Sequence, residues 1–183
     1  GEAYQEYLKG QFWLNRRNEE GFKKAIEFFN HAIEKDPSYA LAYAGLADSY
    51  ALLGTYALLE PKDGFPKAKA AAMKALSLDQ QLAEAHTSLA NILTSYEWDF
   101  KNAESEFKKA IALNPNYATA HQWYAEYLQM TSRHDEAIAE IKRAQELDPL
   151  SLIIGAVAGR AYYCDRKYDQ AIEQLNKTLQ MDR

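Results

Sequence analysis

The stretches AESEFKKAIALNP (Ala103–Pro115) and DEAIAEIKRAQELDP (Asp135–Pro149) are two copies of one helical unit, and their spacing decides the fold. Related strings stand earlier, FKKAIEFFNHAIEKDP (Phe22–Pro37), and at the end, YDQAIEQLNKTLQMDR (Tyr168–Arg183). Aligned, they put Ala25, Ala68, Ala103, Ala137 and Ala171 at one position, and Ala32, Ala75, Ala110, Ala144 and Thr178 seven residues on. Between them stand Phe29, Phe107, Ile141 and Leu175, with Ala72 the exception. Steps of four and three place all three positions on one helix face, where small residues let neighbouring backbones approach and the large one fills the gap. A period that fills a chain in this way makes a stack of helix pairs, each unit touching the next, and not a globule built round a pocket.

Working outward, the ends of these helices fall near Pro37, Gln80, Pro115, Pro149 and Arg183, at spacings of 43, 35, 34 and 34 residues. Proline ends one helix and tolerates a place at the start of the next. The partner helices repeat Tyr43–Leu46–Ala47–Tyr50 as His86–Leu89–Ala90–Leu93, His121–Tyr124–Ala125–Leu128 and Gly155–Ala158–Gly159–Tyr162, with Tyr4, Tyr7 or Leu8, Gly10 and Trp13 in the first unit. The pattern predicts ten helices, over 2–15, 20–35, 38–53, 64–78, 82–95, 99–113, 116–130, 134–147, 151–164 and 168–181. They form a single domain, 1–183, of units 2–37, 38–80, 81–115, 116–149 and 150–183. Residues 55–66 read as an insertion: Pro61, Gly64 and Pro66 argue against a helix through it, and Lys62–Asp63–Gly64 reads as a turn. The link Ser95–Asp99 has one extra residue, and Trp98 with Phe100 is expected to plug the seam there.

Composition narrows the function. A 48% hydrophobic and 26% charged chain has the make-up of a folded domain and not of a disordered one. Its net charge of -5 argues against direct nucleic-acid binding, and Lys67, Lys69, Lys101, Lys108 and Lys109 alternate with alanines and acids as a solvated face would. Cys164 is the single cysteine, expected as a partly buried, unreactive thiol; it rules out an intrachain disulfide and a cysteine metal cluster. No apolar run is long enough for a membrane span, so no membrane contact is expected from this segment, and a cytoplasmic setting is. The start at Gly1, without methionine, reads as a cleavage scar or fragment boundary.

The small–large–small pattern with a terminal proline resembles the tetratricopeptide repeat over essentially the whole chain, most strongly in residues 82–115 and 116–149. More narrowly, Leu8–Arg17 followed by Glu19–Ala25, the phrase ALAYAGLADSYALLG and Tyr96–Phe100 resemble the repeat region of certain bacterial regulators. In those, such repeats accompany a winged-helix DNA-binding, nucleotide-cyclase or protein-kinase domain. The resemblance implies an all-α, right-handed α-solenoid of about five antiparallel helix pairs, a fragment of a larger regulatory protein. It also implies that the first helix of each pair lines a concave face.

On that placement, residues off the packing stripe point into a groove. One row runs Gln11, Asp48, Asn91, Glu126 and Arg160; beside it stand Tyr7, Thr87 and Gln122, then Thr94, Gln129 and Tyr163, with Trp123 at the edge. This mixed polar floor suits a protein or peptide held by side-chain amides and hydroxyls. Relatives that grip a terminal carboxylate use lysines, an arginine and asparagines; only Asn91 matches, so a C-terminal carboxylate ligand is not expected.

No catalytic motif, cofactor fingerprint or metal-ligand spacing occurs, so the chain reads as a non-enzyme without cofactor or metal. His86 and His121 take one position in consecutive units, as packing residues would. The alternative function is homotypic dimerisation or a structural spacer, with a homodimer formed through the C-terminal helix pair, because Ile172, Leu175, Leu179 and Met181 lack a covering helix.

Overall fold

The small residues of the repeat are where the helices meet. The computed structural model describes residues 1–182, which form ten α-helices and no strand: α1 Glu2–Leu14, α2 Glu19–Lys35, α3 Ala40–Thr55, α4 Pro61–Leu78, α5 Ala83–Ile92, α6 Phe100–Leu113, α7 Ala118–Met130, α8 His134–Leu147, α9 Leu152–Cys164 and α10 Tyr168–Met181. All five flanking alanines, from Ala25 to Ala171, are buried, as are Ala32, Ala75, Ala110, Ala144 and Thr178. Phe29, Phe107 and Ile141 are buried between them, whereas Leu175 is exposed. Glycine completes the fit: a Cβ on Gly10 or on Gly45 would lie 2.5 Å from the Phe29 ring, so the ring of α2 fills a slot between α1 and α3 that only two bare backbones leave open.

The chain gathers into two compact units, Gly1–Leu113 and Asn114–Arg183. Within the first, α1 lies beside α3 and α3 beside α5; within the second, α7 lies beside α9. The first helices of each unit are thus neighbours, and each second helix packs against its own partner.

The turns follow two local rules. Ahead of a first helix, the Asp or Asn before the proline folds back on itself: Asp36 Oδ1 accepts the Ser38 N–H at 3.0 Å and Asn114 Oδ1 the Asn116 N–H at 3.1 Å. This side-chain turn delays α3 and α7 to Ala40 and Ala118, beyond the expected starts at 38 and 116. Inside each pair, one residue takes a left-handed conformation: Arg17, Ala57, Trp98, Ser132 and Arg166, with φ between 52° and 59° and none of them glycine. The next N–H then reaches back to close the helix, as Arg133 N does to Leu128 O at 2.9 Å and Lys167 N to Tyr162 O at 2.9 Å.

Three expectations are corrected. Residues 55–66 are not one loop, because α4 begins at Pro61 and runs through Gly64 and Pro66. Proline is at home in the first helical turn, and the Asp63 and Gly64 N–H groups both bond to Glu60 O, so the expected Lys62–Asp63–Gly64 turn is helix. Gly64 also faces the Tyr50 carbonyl, and Phe65 packs on Gly54, so these residues serve the α3–α4 contact. The extra residue near Ser95 is absorbed as a π-helical turn, Leu93–Glu97, and Trp98, 69% exposed, does not plug the seam. Cys164 is exposed and not partly buried.

Candidate functional site

The twelve expected groove residues divide into a buried set and a surface set. Asp48, Thr87, Thr94, Gln122 and Trp123 are buried and do not line an open floor. The reason is local for the two threonines, whose hydroxyls turn back to donate to Ala83 O at 2.9 Å and Ala90 O at 2.8 Å. Off-stripe positions of a helix with neighbours on both sides are covered, and periodicity registers only one of those sides.

In the first unit, Gln11 donates through Nε2 to the Tyr7 hydroxyl at 3.2 Å, and Asn91 accepts from Ser95 Oγ at 3.2 Å. Tyr7 sits edge-on to Tyr39, with ring centres 5.5 Å apart, and burial raises its phenol well above the usual range. Asp48, only 6% exposed, meets Ser88 Oγ at 2.5 Å across the α3–α5 contact. Burial pushes its carboxyl up to about 7, against the pull of the Ser88 hydrogen bond and the Arg17 charge.

In the second unit the row is a connected network. Glu126 on α7 accepts from Gln122 Nε2 at 3.2 Å and from Arg160 Nη2 on α9 at 2.8 Å. Arg160 Nε also donates to Gln129 Oε1 at 3.1 Å, which fixes the orientation of that amide and leaves its buried Nε2 without an acceptor. Tyr163 lies one turn along α9 from Arg160 and is exposed, its ring 5.6 Å from Tyr168. The arrangement can exchange hydrogen bonds with an amide backbone and offer a ring to an apolar side chain.

Two features escape the sequence reading. A groove of about 700 Å³ opens between α4 and α6, lined by Met73, Leu76, Lys109, Ala112 and Leu113, with His86 among its walls. The equivalent histidines each bind two oxygens. His86 Nδ1 lies 2.5 Å from Glu106 Oε2 and Nε2 2.9 Å from Gln80 O. His121 Nδ1 lies 2.6 Å from Glu140 Oε2 and Nε2 2.8 Å from Pro115 O. A packing aromatic was the expectation; glutamates one helix away are the signal that could have changed it. Among the described residues, no group of three His, Cys, Asp or Glu side chains is placed to hold a metal ion, and no helix is long and apolar enough to cross a membrane.

Comparison with known proteins places this geometry. Residues 97–158 match the family model described as tetratricopeptide repeat. Transcriptional regulator HilA of Salmonella typhimurium is 25% identical over 166 residues, 91% of this chain but 30% of the regulator, so the chain spans under a third of that relative. Among solved structures, YrrB, described as a TPR protein with an unusual peptide-binding site, is 26% identical with a TM-score of 0.56, covering 87% of this chain and 77% of that one. A thermophilic TPR protein of Thermus thermophilus reaches a TM-score of 0.76 at 19% identity, covering 98% and 91%. The all-α helix-pair reading therefore holds: residues 97–158 match the tetratricopeptide-repeat model, and the chain has the fold of tetratricopeptide-repeat proteins.

Proposed function

We propose that the chain is a non-catalytic protein-binding module within a larger regulatory protein, and that the face formed by the first helices holds an extended polypeptide. The observation that carries this is the row Glu126–Arg160–Gln129, which joins α7 to α9 at a surface where Tyr163 is exposed. Its amide and charges match the donors and acceptors of a peptide backbone, and the Tyr163 ring supplies apolar area. Two likenesses support the reading: one to a protein described by its peptide-binding site, and one to a transcriptional regulator over three times as long as the matched region. The test is capture on a peptide array by the chain and by Gln129→Leu and Arg160→Ala variants. Loss of the same peptides in both variants supports the site, and unchanged capture in both overturns it.

A second reading, self-association through α9 and α10, has its own observation: Ile172 and Leu179 are 59% and 64% exposed on one side of α10, beside exposed Leu175. Sedimentation at micromolar concentration should then show a dimer that Ile172→Glu with Leu179→Glu dissociates. A strict monomer removes this reading and leaves the first untouched.

A further inference from the structure

The two histidines that recur in successive repeats are held in a way that packing does not require. Each ring has a carboxylate oxygen on Nδ1 and a backbone carbonyl oxygen on Nε2. A carbonyl and an ionised carboxylate only accept, and a neutral imidazole has one N–H to give. Both hydrogen bonds can form only when both ring nitrogens carry hydrogen. The carbonyls belong to the turns that lead into the helix bearing the histidine, Gln80 before α5 and Pro115 before α7. The carboxylates belong to the second helix of the same pair, Glu106 on α6 and Glu140 on α8. Each ring thus ties an entry turn to the back of its own repeat.

We propose that His121 is a proton-operated clamp, which holds the turn before α7 while doubly protonated and releases it when the ring loses its second proton. The inference stands apart from the peptide-binding reading, since it concerns the turn and not the polar row. The charged groups facing each ring agree with it. His86 meets Glu106, which also binds Lys109 at 3.0 Å, and Gln80 supplies only its carbonyl. His121 meets Glu140, with Arg143 on the same helix opposing its charge. For His121, burial lowers the value, but the Glu140 and Pro115 hydrogen bonds outweigh it and leave the ring above its ordinary 6.5. For Glu106, burial raises the value, but hydrogen bonds from His86 and Lys109 outweigh it and leave the carboxyl below its ordinary 4.5.

The signs set the working range. A raised histidine contributes stability that is whole below 6.5 and is lost as pH rises through the folded value of His121. A depressed carboxylate contributes stability present above 4.5 and lost as pH falls through the folded value of Glu106. The His121 clamp is therefore closed in weak acid and open on the alkaline side.

The experiment is an NMR titration of the ring nitrogens in the whole chain, run alongside amide exchange at the turns and corrected for base catalysis of exchange. The proposal expects both nitrogens of His121 to carry hydrogen below its midpoint, with the midpoint above about 6.5. Exchange at Asn116 and Tyr117 should accelerate about tenfold or more through that same midpoint, as for the loss of a hydrogen bond to a charged donor. Glu140→Gln should lower the midpoint by about one unit or more. If a variant fails to fold, the titration of the unaltered chain decides. A His121 ring that carries one proton throughout, or turn protection that stays flat across its titration, overturns the proposal.

Discussion

Asp48 in the first unit and Glu126 in the second stand at the same register of their first helices, yet they are different chemical objects. Asp48 is enclosed between α3 and α5, bonded to Ser88, and forms no ion pair among the described residues. Glu126 keeps a third of its side-chain surface, with relative exposure of 32%, and pairs with Arg160 at 2.8 Å. The repeat supplies a carboxylate at that register in both places. What stands opposite decides the rest: a serine draws the helices together over Asp48, whereas a long arginine props α9 against Glu126 from the solvent side. A shared position in a repeat therefore does not make a shared site.

Breaking the buried half of this comparison should have the largest effect. The Asp48 carboxyl, raised to about 7, binds a proton in the folded chain that the unfolded chain has already released, so stability falls as pH climbs between about 4 and about 7. Asp48→Asn removes that slope and should stabilise the chain by up to about 4 kcal/mol at pH 8, with little change at pH 4. Urea unfolding at the two pH values checks it; an equal difference at both would mean that the carboxyl is not the cause.

Overpacking tests whether the seam, unlike the polar row, is alike in both units. Ala110→Leu and Ala144→Leu, each placed at a fully buried alanine, should each cost about 1–3 kcal/mol in unfolding free energy. A neutral result for one of them would show that the units differ in packing as well. The left-handed turn residues sharpen the same question at a smaller scale. Ala57→Gly in the first unit and Ser132→Gly in the second should each stabilise by about 1 kcal/mol, since glycine takes positive φ without the side-chain penalty. Thermal unfolding would detect a rise for each, and a fall at both would show that the turns carry no strain. The smallest effect belongs to the exposed half: Arg160→Ala should cost under about 1 kcal/mol in stability, because the pair is solvent-screened, with Arg160 53% exposed. A larger loss in urea unfolding would place that network in the fold and not in a ligand site.

Much of the fold was legible because alanine at 103, 110, 137 and 144 recurs at helical spacing, and close helix contact tolerates little else there. The α4 start was misread because Pro61, Gly64 and Pro66 carry a breaker signal, while Glu60 O satisfies the first helical N–H groups. The left-handed turns were invisible, since Arg17, Ala57, Trp98, Ser132 and Arg166 carry no glycine or asparagine to announce them. Of the candidate site, the pairing of Arg160 with Glu126 had a trace, opposite charges in successive units at one register; the burial of Gln122 and Trp123 had none.

By itself the amino-acid sequence determined the helix count, the repeat and the buried alanine face, because those depend on side-chain size along a single helix. Only the tertiary structure decided which polar residues reach solvent, which carboxyl keeps a proton, and that His86 and His121 each face two acceptors. Those properties depend on atoms brought together from residues 6 to 40 positions apart in the chain, and no period of a single strand of sequence encodes the distance between them.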